Sequence, residues 1–163
     1  MIRVAALCML AAGSAVIAAC GSSSGSATSS PAATATPASP TVSTHSTSLG
    51  IVLTNQQGLT LYYFTPEKGG TIACTGTCAT TWPALTTPGT ASGPSTVTGT
   101  FATVNLPDGS KEVTYNGWPL HTYAKDTSPG QTTGQGVGGK WFVATPSLTA
   151  EGNPGTPSPS GAP

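Results

Sequence analysis

The sequence predicts an all-β fold, mainly antiparallel, in which one small domain is built from two pseudo-repeats of a β-hairpin unit. Period-two alternation and β-forming residues dominate the middle of the 163-residue chain, and no stretch there has a convincing 3.6-residue apolar repeat. A short segment also occurs twice in related form: Gly58 to Glu67 is matched 59 residues later by Gly117 to Asp126. The same shift places Trp82 on Trp141. One unit alone would be too small to bury its aromatic face, so we expect the two to pack together.

The first unit spans about residues 50–85. Its predicted elements are strands at 50–54 and 59–64, a turn at 55–58, and one helical turn at 78–82 that Pro83 ends. The second unit spans about residues 110–145 and follows a predicted strand at 96–104. Its predicted strands are 111–115, 120–123 and 140–144, and the Asn116-Gly117 pair between the first two is a strong hairpin signal.

The two ends of the chain differ in composition from this domain. Residues 1–19 have one positive charge followed by a 14-residue apolar stretch, which is typical of a signal peptide and too short to span a bilayer. The stretch ends in Ile-Ala-Ala-Cys, which resembles a bacterial lipobox and predicts lipidation of Cys20. Two acyl chains there would anchor the protein to the membrane on its extracytoplasmic face.

Residues 20–48 are almost entirely Gly, Ala, Ser, Thr and Pro and are predicted to be a disordered linker, which leaves residues 49–145 as the folded domain. Residues 146–163 are predicted to be a disordered tail on the same grounds. Four lysines and four carboxylates lie between residues 49 and 145, and no arginine follows Arg3. The sequence therefore offers no basic stripe for nucleic acid.

Four phrases of the domain resemble a known family. They are Leu-Tyr-Tyr-Phe-Thr-Pro-Glu, Cys-Thr-Gly-Thr-Cys-Ala-Thr-Thr-Trp-Pro, Val-Thr-Tyr-Asn-Gly-Trp-Pro-Leu and Gly-Gln-Gly-Val-Gly-Gly-Lys-Trp-Phe-Val. Together they are similar to bacterial lipoproteins that carry a secreted repeat with a Tyr-x4-Asp motif. The resemblance implies architecture and location but no activity. This chain departs from the motif, since the first copy pairs Tyr62 with Glu67 and the second pairs His121 with Asp126.

The motif acids have two interpretations. Glu67 and Asp126 occupy equivalent places after a strand, so they could converge to bind a cation or act as an acid/base pair. Alternatively, each acid caps backbone N–H groups of the following turn, and the tyrosine-to-acid spacing lets each pair bond across its own strand end. His121, the one histidine of residues 49–145, is expected to be an aromatic substitute for tyrosine and not a metal ligand.

Cys74 and Cys78 are predicted to form a local structural disulfide, since an extracytoplasmic pair at this spacing lacks the Cys-x-x-Cys pattern of dithiol oxidoreductases. No cofactor, metal or catalytic residue is predicted. The expected function is that of a non-enzymatic, lipid-anchored envelope module that binds a protein, a glycan or a small ligand. Its candidate binding surface is aromatic and comprises Tyr63, Tyr115, Trp118 and Tyr123, together with the motif residue Tyr62. The alternatives are a redox or electron-transfer accessory of the envelope and, third, a hydrolase.

Overall fold

The computed structural model describes residues 41–153. The predicted signal peptide 1–19, Cys20, the linker up to residue 40 and the tail from residue 154 lie outside the described residues. Within them the all-β, antiparallel prediction is confirmed. The strands are β1 Ser43–Thr47, β2 Gly50–Thr54, β3 Tyr62–Phe64, β4 Phe101–Asn105, β5 Lys111–Tyr115, β6 Trp118–Pro119 and β7 Trp141–Val143. The helical elements are α1 Thr77–Thr81 and single 3-10 turns at Thr65–Glu67 and Val137–Gly139. No helix of the described part is long and apolar enough to cross a membrane.

The strands form three small antiparallel sheets, ordered β1-β2, β3-β7 and β4-β5-β6. Tight turns set the register of the hairpins. Between β5 and β6, Asn116 and Gly117 have φ angles of 49° and 85°, as a two-residue hairpin turn requires. Gly58 has a φ of 82°, and a Cβ there would lie 3.0 Å from the Pro129 side chain, so both backbone and space require glycine.

Hydrogen bonds show that the two units are built alike. In the first unit, Leu53 and Leu61 both bond Ala144 of the second: the N–H of Leu53 donates to Ala144, and the N–H of Ala144 donates to Leu61. The equivalent bonds join Val113 to Leu85 and Leu85 to Leu120. Leu61 and Leu120 differ by 59 positions, but Leu53 and Val113 differ by 60, so β2 and β5 are displaced by one residue from the gapless repeat. Glu112 is therefore the structural counterpart of Val52.

Each unit pairs its final segment with the other unit. β7 pairs with β3, and Val143 lies opposite Tyr62. The counterpart of this pair is the isolated bridge between Ala84 and His121. Neither unit is thus a closed structure by itself, because its last segment belongs to the neighbouring sheet.

Two buried clusters fill the domain. The larger contains Leu53, Leu61, Tyr63, Val113, Tyr115, Trp118, Leu120, Phe142 and Leu148, with smaller apolar residues around them. The second contains Val52, Tyr62, Cys74, Trp82, Tyr123, Trp141 and Val143. Burying a single large apolar side chain of this kind stabilises a domain by about 1.5–3 kcal/mol.

Several sequence-based boundaries were wrong. The strand predicted at 120–123 is absent as a strand, since β6 is Trp118–Pro119 and only isolated bridges form at His121. The strand predicted at 59–64 begins only at Tyr62. β1 lies within the predicted linker 20–48, since its backbone pairs with β2 along its whole length despite its polar composition. The predicted tail begins too early, because Leu148 is buried and its neighbours accept hydrogen bonds from Tyr115 and Trp118. The strand predicted at 96–104 begins only at Phe101.

Candidate functional site

The four motif residues are paired across the two units. The Tyr62 hydroxyl donates to Asp126 Oδ2 at 2.5 Å. His121 Nε2 lies 2.7 Å from Glu67 Oε2. The expectation that each aromatic bonds the acid of its own unit was therefore wrong, because the units pack antiparallel and bring each strand end against the other unit's turn.

The two acids also anchor the loops that follow them. Glu67 Oε1 accepts the N–H groups of Ala73 and Cys74, both at 2.8 Å. Asp126 Oδ1 accepts the N–H of Thr133 at 3.1 Å and also its hydroxyl. Both acids are buried and face different aromatics, so they do not meet in one cleft. This geometry agrees with the second interpretation of the motif acids, in which each acid caps backbone N–H groups of the turn that follows it.

Glu112 joins one half of this arrangement and was not among the site residues predicted from the sequence. Its carboxylate is fully buried, and Oε1 lies 3.4 Å from His121 Nδ1. Within residues 41–153 neither of its oxygens has a hydrogen-bond partner. The gapless repeat aligns Glu112 with the apolar Leu53, so an acid at a core position was a signal available in the sequence.

The surroundings shift the pKa values of these groups in different directions. Burial raises the pKa of Glu112 to about 7, with the charge of Glu67 adding to the effect and that of His121 opposing it. Burial would also raise the pKa of Glu67, but hydrogen bonds from His121, Cys74 and Ala73 outweigh it and hold that pKa below its usual value. Burial and the bond to Asp126 raise the pKa of Tyr62 far above its usual range.

A column of four stacked rings lies beside the motif. Trp82 and Trp141 stack in parallel with ring centres 3.9 Å apart. Tyr123 continues the column on Trp82, and Phe64 continues it on Trp141. Since Phe64 and Tyr123 are repeat equivalents, the column has the same pseudo-twofold symmetry as the motif.

The predicted aromatic binding surface was wrong. Tyr63, Tyr115, Trp118 and Tyr123 are each at most 7% exposed, and Tyr62 is fully buried. Two of these residues are bonded inside the fold, since Tyr115 donates to Pro146 and Trp118 donates to Thr149, both at 2.8 Å. So small a domain needs these large rings to make its core.

The disulfide between Cys74 and Cys78 is present. The disulfide closes the short loop that leads into α1. Cys74 begins this loop, and its backbone N–H donates a hydrogen bond to Glu67. Cys74 is buried, and Cys78 is only partly so.

An open groove of about 680 Å³ lies between the 55–57 turn and the segment that begins at Leu85. Exposed hydroxyl and amide groups of Gln57, Thr86 and Thr90 line it, with Leu85 and Pro88 supplying apolar surface. Its lining, all of it within the described residues, includes no charged side chain.

The duplicated architecture agrees with the comparison to known families. A family model described as a secreted repeat of unknown function matches the chain twice, at residues 43–86 and 102–145, which together make up more than half of it. The chain belongs to this family. The two matches are offset by 59 residues, the shift that the motif displays. No curated protein and no solved structure matches this secreted repeat.

Proposed function

We propose that this secreted repeat is a lipid-anchored, non-enzymatic binding module of the cell envelope. Membership of a family of secreted repeats supports the location. The burial of Tyr62, Glu67, His121 and Asp126 supports a non-enzymatic role, because a substrate could not reach these groups without opening the core. The membrane attachment rests on the Ile-Ala-Ala-Cys20 sequence.

The groove is the observation that carries the binding role. Uncharged hydroxyl and amide groups beside small apolar patches complement a polyhydroxylated, uncharged ligand, and an envelope glycan has that chemistry. The protein's low charge agrees with such a ligand, since four lysines and four carboxylates are spread over residues 49–145. We assign ligand contact to the groove side chains Gln57, Thr86 and Thr90.

The test is binding of the full mature chain to purified envelope polysaccharides, measured by calorimetry. The expected result is saturable binding that weakens at least about fivefold in the double variant Gln57→Ala/Thr90→Ala, since each lost hydrogen bond costs about 0.5–1.5 kcal/mol. Thr44→Ala, an exposed position on β1 outside the groove, is the matched control. Equal binding by the groove variant and the control would reject the groove as the ligand site.

A second candidate is an electron-transfer accessory of the envelope, and the four-ring column favours it. The parallel stack of Trp82 on Trp141 lies beside Tyr62, whose hydroxyl already donates to a carboxylate that could accept its proton on oxidation. The test is photochemical one-electron oxidation of the mature chain, followed by transient absorption. This role requires a tryptophan radical that passes to Tyr62, and a radical that decays identically in Tyr62→Phe would exclude it.

A further inference from the structure

Three electron-pair acceptors surround the ring of His121. Nε2 faces Glu67 Oε2 at 2.7 Å, while Nδ1 faces the main-chain oxygen of Trp82 at 3.2 Å and Glu112 Oε1 at 3.4 Å. The residues His121, Glu67 and Glu112 are each at most 2% exposed. A positive centre of some kind must lie between these atoms, because lone pairs that face one another in a dry interior repel.

Glu67 fixes the proton on Nε2. Its Oε1 already accepts two backbone N–H groups, which favours the ionised carboxylate. Glu67 Oε2 therefore accepts a hydrogen bond from the N–H at His121 Nε2, and Nδ1 is left to face Trp82 and Glu112.

A proton alone does not satisfy what remains. Placed on Nδ1, it makes one long bond to Trp82 and leaves both Glu112 oxygens without a hydrogen bond from any described residue. Placed on Glu112, it leaves Nδ1 against the Trp82 carbonyl. Each arrangement leaves a buried polar atom unsatisfied, which is unfavourable in a dry interior.

A bound cation satisfies all of these atoms together. Zn²⁺ takes nitrogen and oxygen ligands at about 2.0–2.1 Å, which places tetrahedral ligands about 3.3 Å from one another. The separations of 3.2 Å and 3.4 Å around Nδ1 match that edge length. Glu67 on Nε2 supplies the carboxylate that metal-bound histidines use to fix their tautomer.

We propose that His121 Nδ1, the Glu112 carboxylate and the Trp82 carbonyl oxygen form a binding site for a divalent metal ion of the Zn²⁺ type. Residues 41–153 contain no group of three or more His, Cys, Asp or Glu side chains arranged to hold a metal, so the main-chain oxygen completes the set. Glu112 fills two coordination positions of the metal if both of its carboxylate oxygens bind. Glu67 acts as a positioning residue.

The first unit provides an internal comparison. At the two equivalent positions it has Val52 and Tyr62, which lie in an apolar cluster. The second unit replaces both by possible ligands, and these two replacements contact each other. The site thus lies where the two copies diverge chemically.

The experiment uses the full mature chain, stripped with a chelator and titrated with Zn²⁺, then with Co²⁺ as a spectroscopic probe. Because the site is buried, metal is added both to the folded protein and during refolding. The expected result is one ion per chain, a melting temperature that rises with free Zn²⁺, and a visible Co²⁺ absorption band of a low-coordinate site.

Variants identify the ligands. Glu112→Gln should abolish saturable binding, whereas Glu151→Gln, an exposed glutamate paired with Lys68, should leave it unchanged. Glu67→Gln should weaken binding about 10–100-fold. If a variant fails to fold, two measurements on the wild-type protein still test the proposal. They are the Co²⁺ spectrum and X-ray absorption of the zinc form, and the latter must show one nitrogen ligand together with oxygen ligands. Absence of saturable binding, or binding that Glu112→Gln retains, would overturn the proposal.

Discussion

Tyr62 and His121 form a reciprocal main-chain pair, in which the N–H of each donates to the carbonyl of the other at 2.8 and 2.9 Å. The two are repeat equivalents, so this pair lies on the pseudo-twofold axis of the domain. Their side chains then diverge to the two crossed acids. A change at either residue therefore reaches the contact between both units.

Tyr62→Phe removes the hydroxyl that donates to Asp126. We expect a loss of about 1.5–3 kcal/mol in the free energy of unfolding, because a hydrogen bond to a buried carboxylate is broken. Urea unfolding of the mature chain measures it. Tyr63→Phe is the control, since its hydroxyl accepts one bond of 3.3 Å from Asn153, and its loss should be about 1 kcal/mol or less. Equal losses would contradict a special role for the crossed pair.

His121→Tyr tests whether histidine and Glu112 form a unit. In metal-free protein we expect the single variant to be strongly destabilised, because it leaves the buried Glu112 carboxyl without its histidine partner. His121→Tyr/Glu112→Val recreates the residues of the first unit and should be more stable than His121→Tyr alone. A double-mutant cycle by urea unfolding should give a coupling of about 1–3 kcal/mol. Additive effects would show that the two residues are independent.

Truncation tests the corrected C-terminal boundary. A chain that ends at Thr145 loses the burial of Leu148 and the bonds from Tyr115, Asn116 and Trp118. We expect it to be less stable by about 3 kcal/mol or more. A chain that ends at Asn153 keeps these contacts and is the control. The boundary predicted at residue 146 would be restored if both chains unfolded at the same urea concentration.

Alkaline titration tests the environment of Tyr62. Its pKa is raised, so its contribution to stability is complete below the unfolded value of about 10 and is lost as pH rises above it. Burial also raises the pKa of Tyr115, so absorbance titration should show both tyrosines ionising late, Tyr62 only as the protein unfolds. In Tyr62→Phe the late component should shrink by one tyrosine. A late component of unchanged size in the variant would assign it to other tyrosines.

The sequence predicted what depends on local pattern. The hairpins, the turn at Asn116-Gly117 and the disulfide follow from nearby residues, and the duplication is visible in the spacing of Trp82 and Trp141. The acid that each aromatic bonds could not be predicted. The spacing between Tyr62 and Glu67 is the same whether they bond each other or residues of the opposite unit. β1 was missed because its strand character comes from pairing with β2, which compensates for a polar sequence.

The exchange of final segments has a consequence for how such a fold can vary. A single unit would expose an unpaired strand edge and would need a second, identical unit to cover it. In such a symmetric dimer, any substitution would appear on both sides of the twofold axis. Joining the two copies in one chain removes that constraint, and the two sides can then change separately. Here one side has Tyr62 and Val52, while the other has His121 and Glu112. The contact between two copies with the same backbone arrangement is therefore chemically asymmetric.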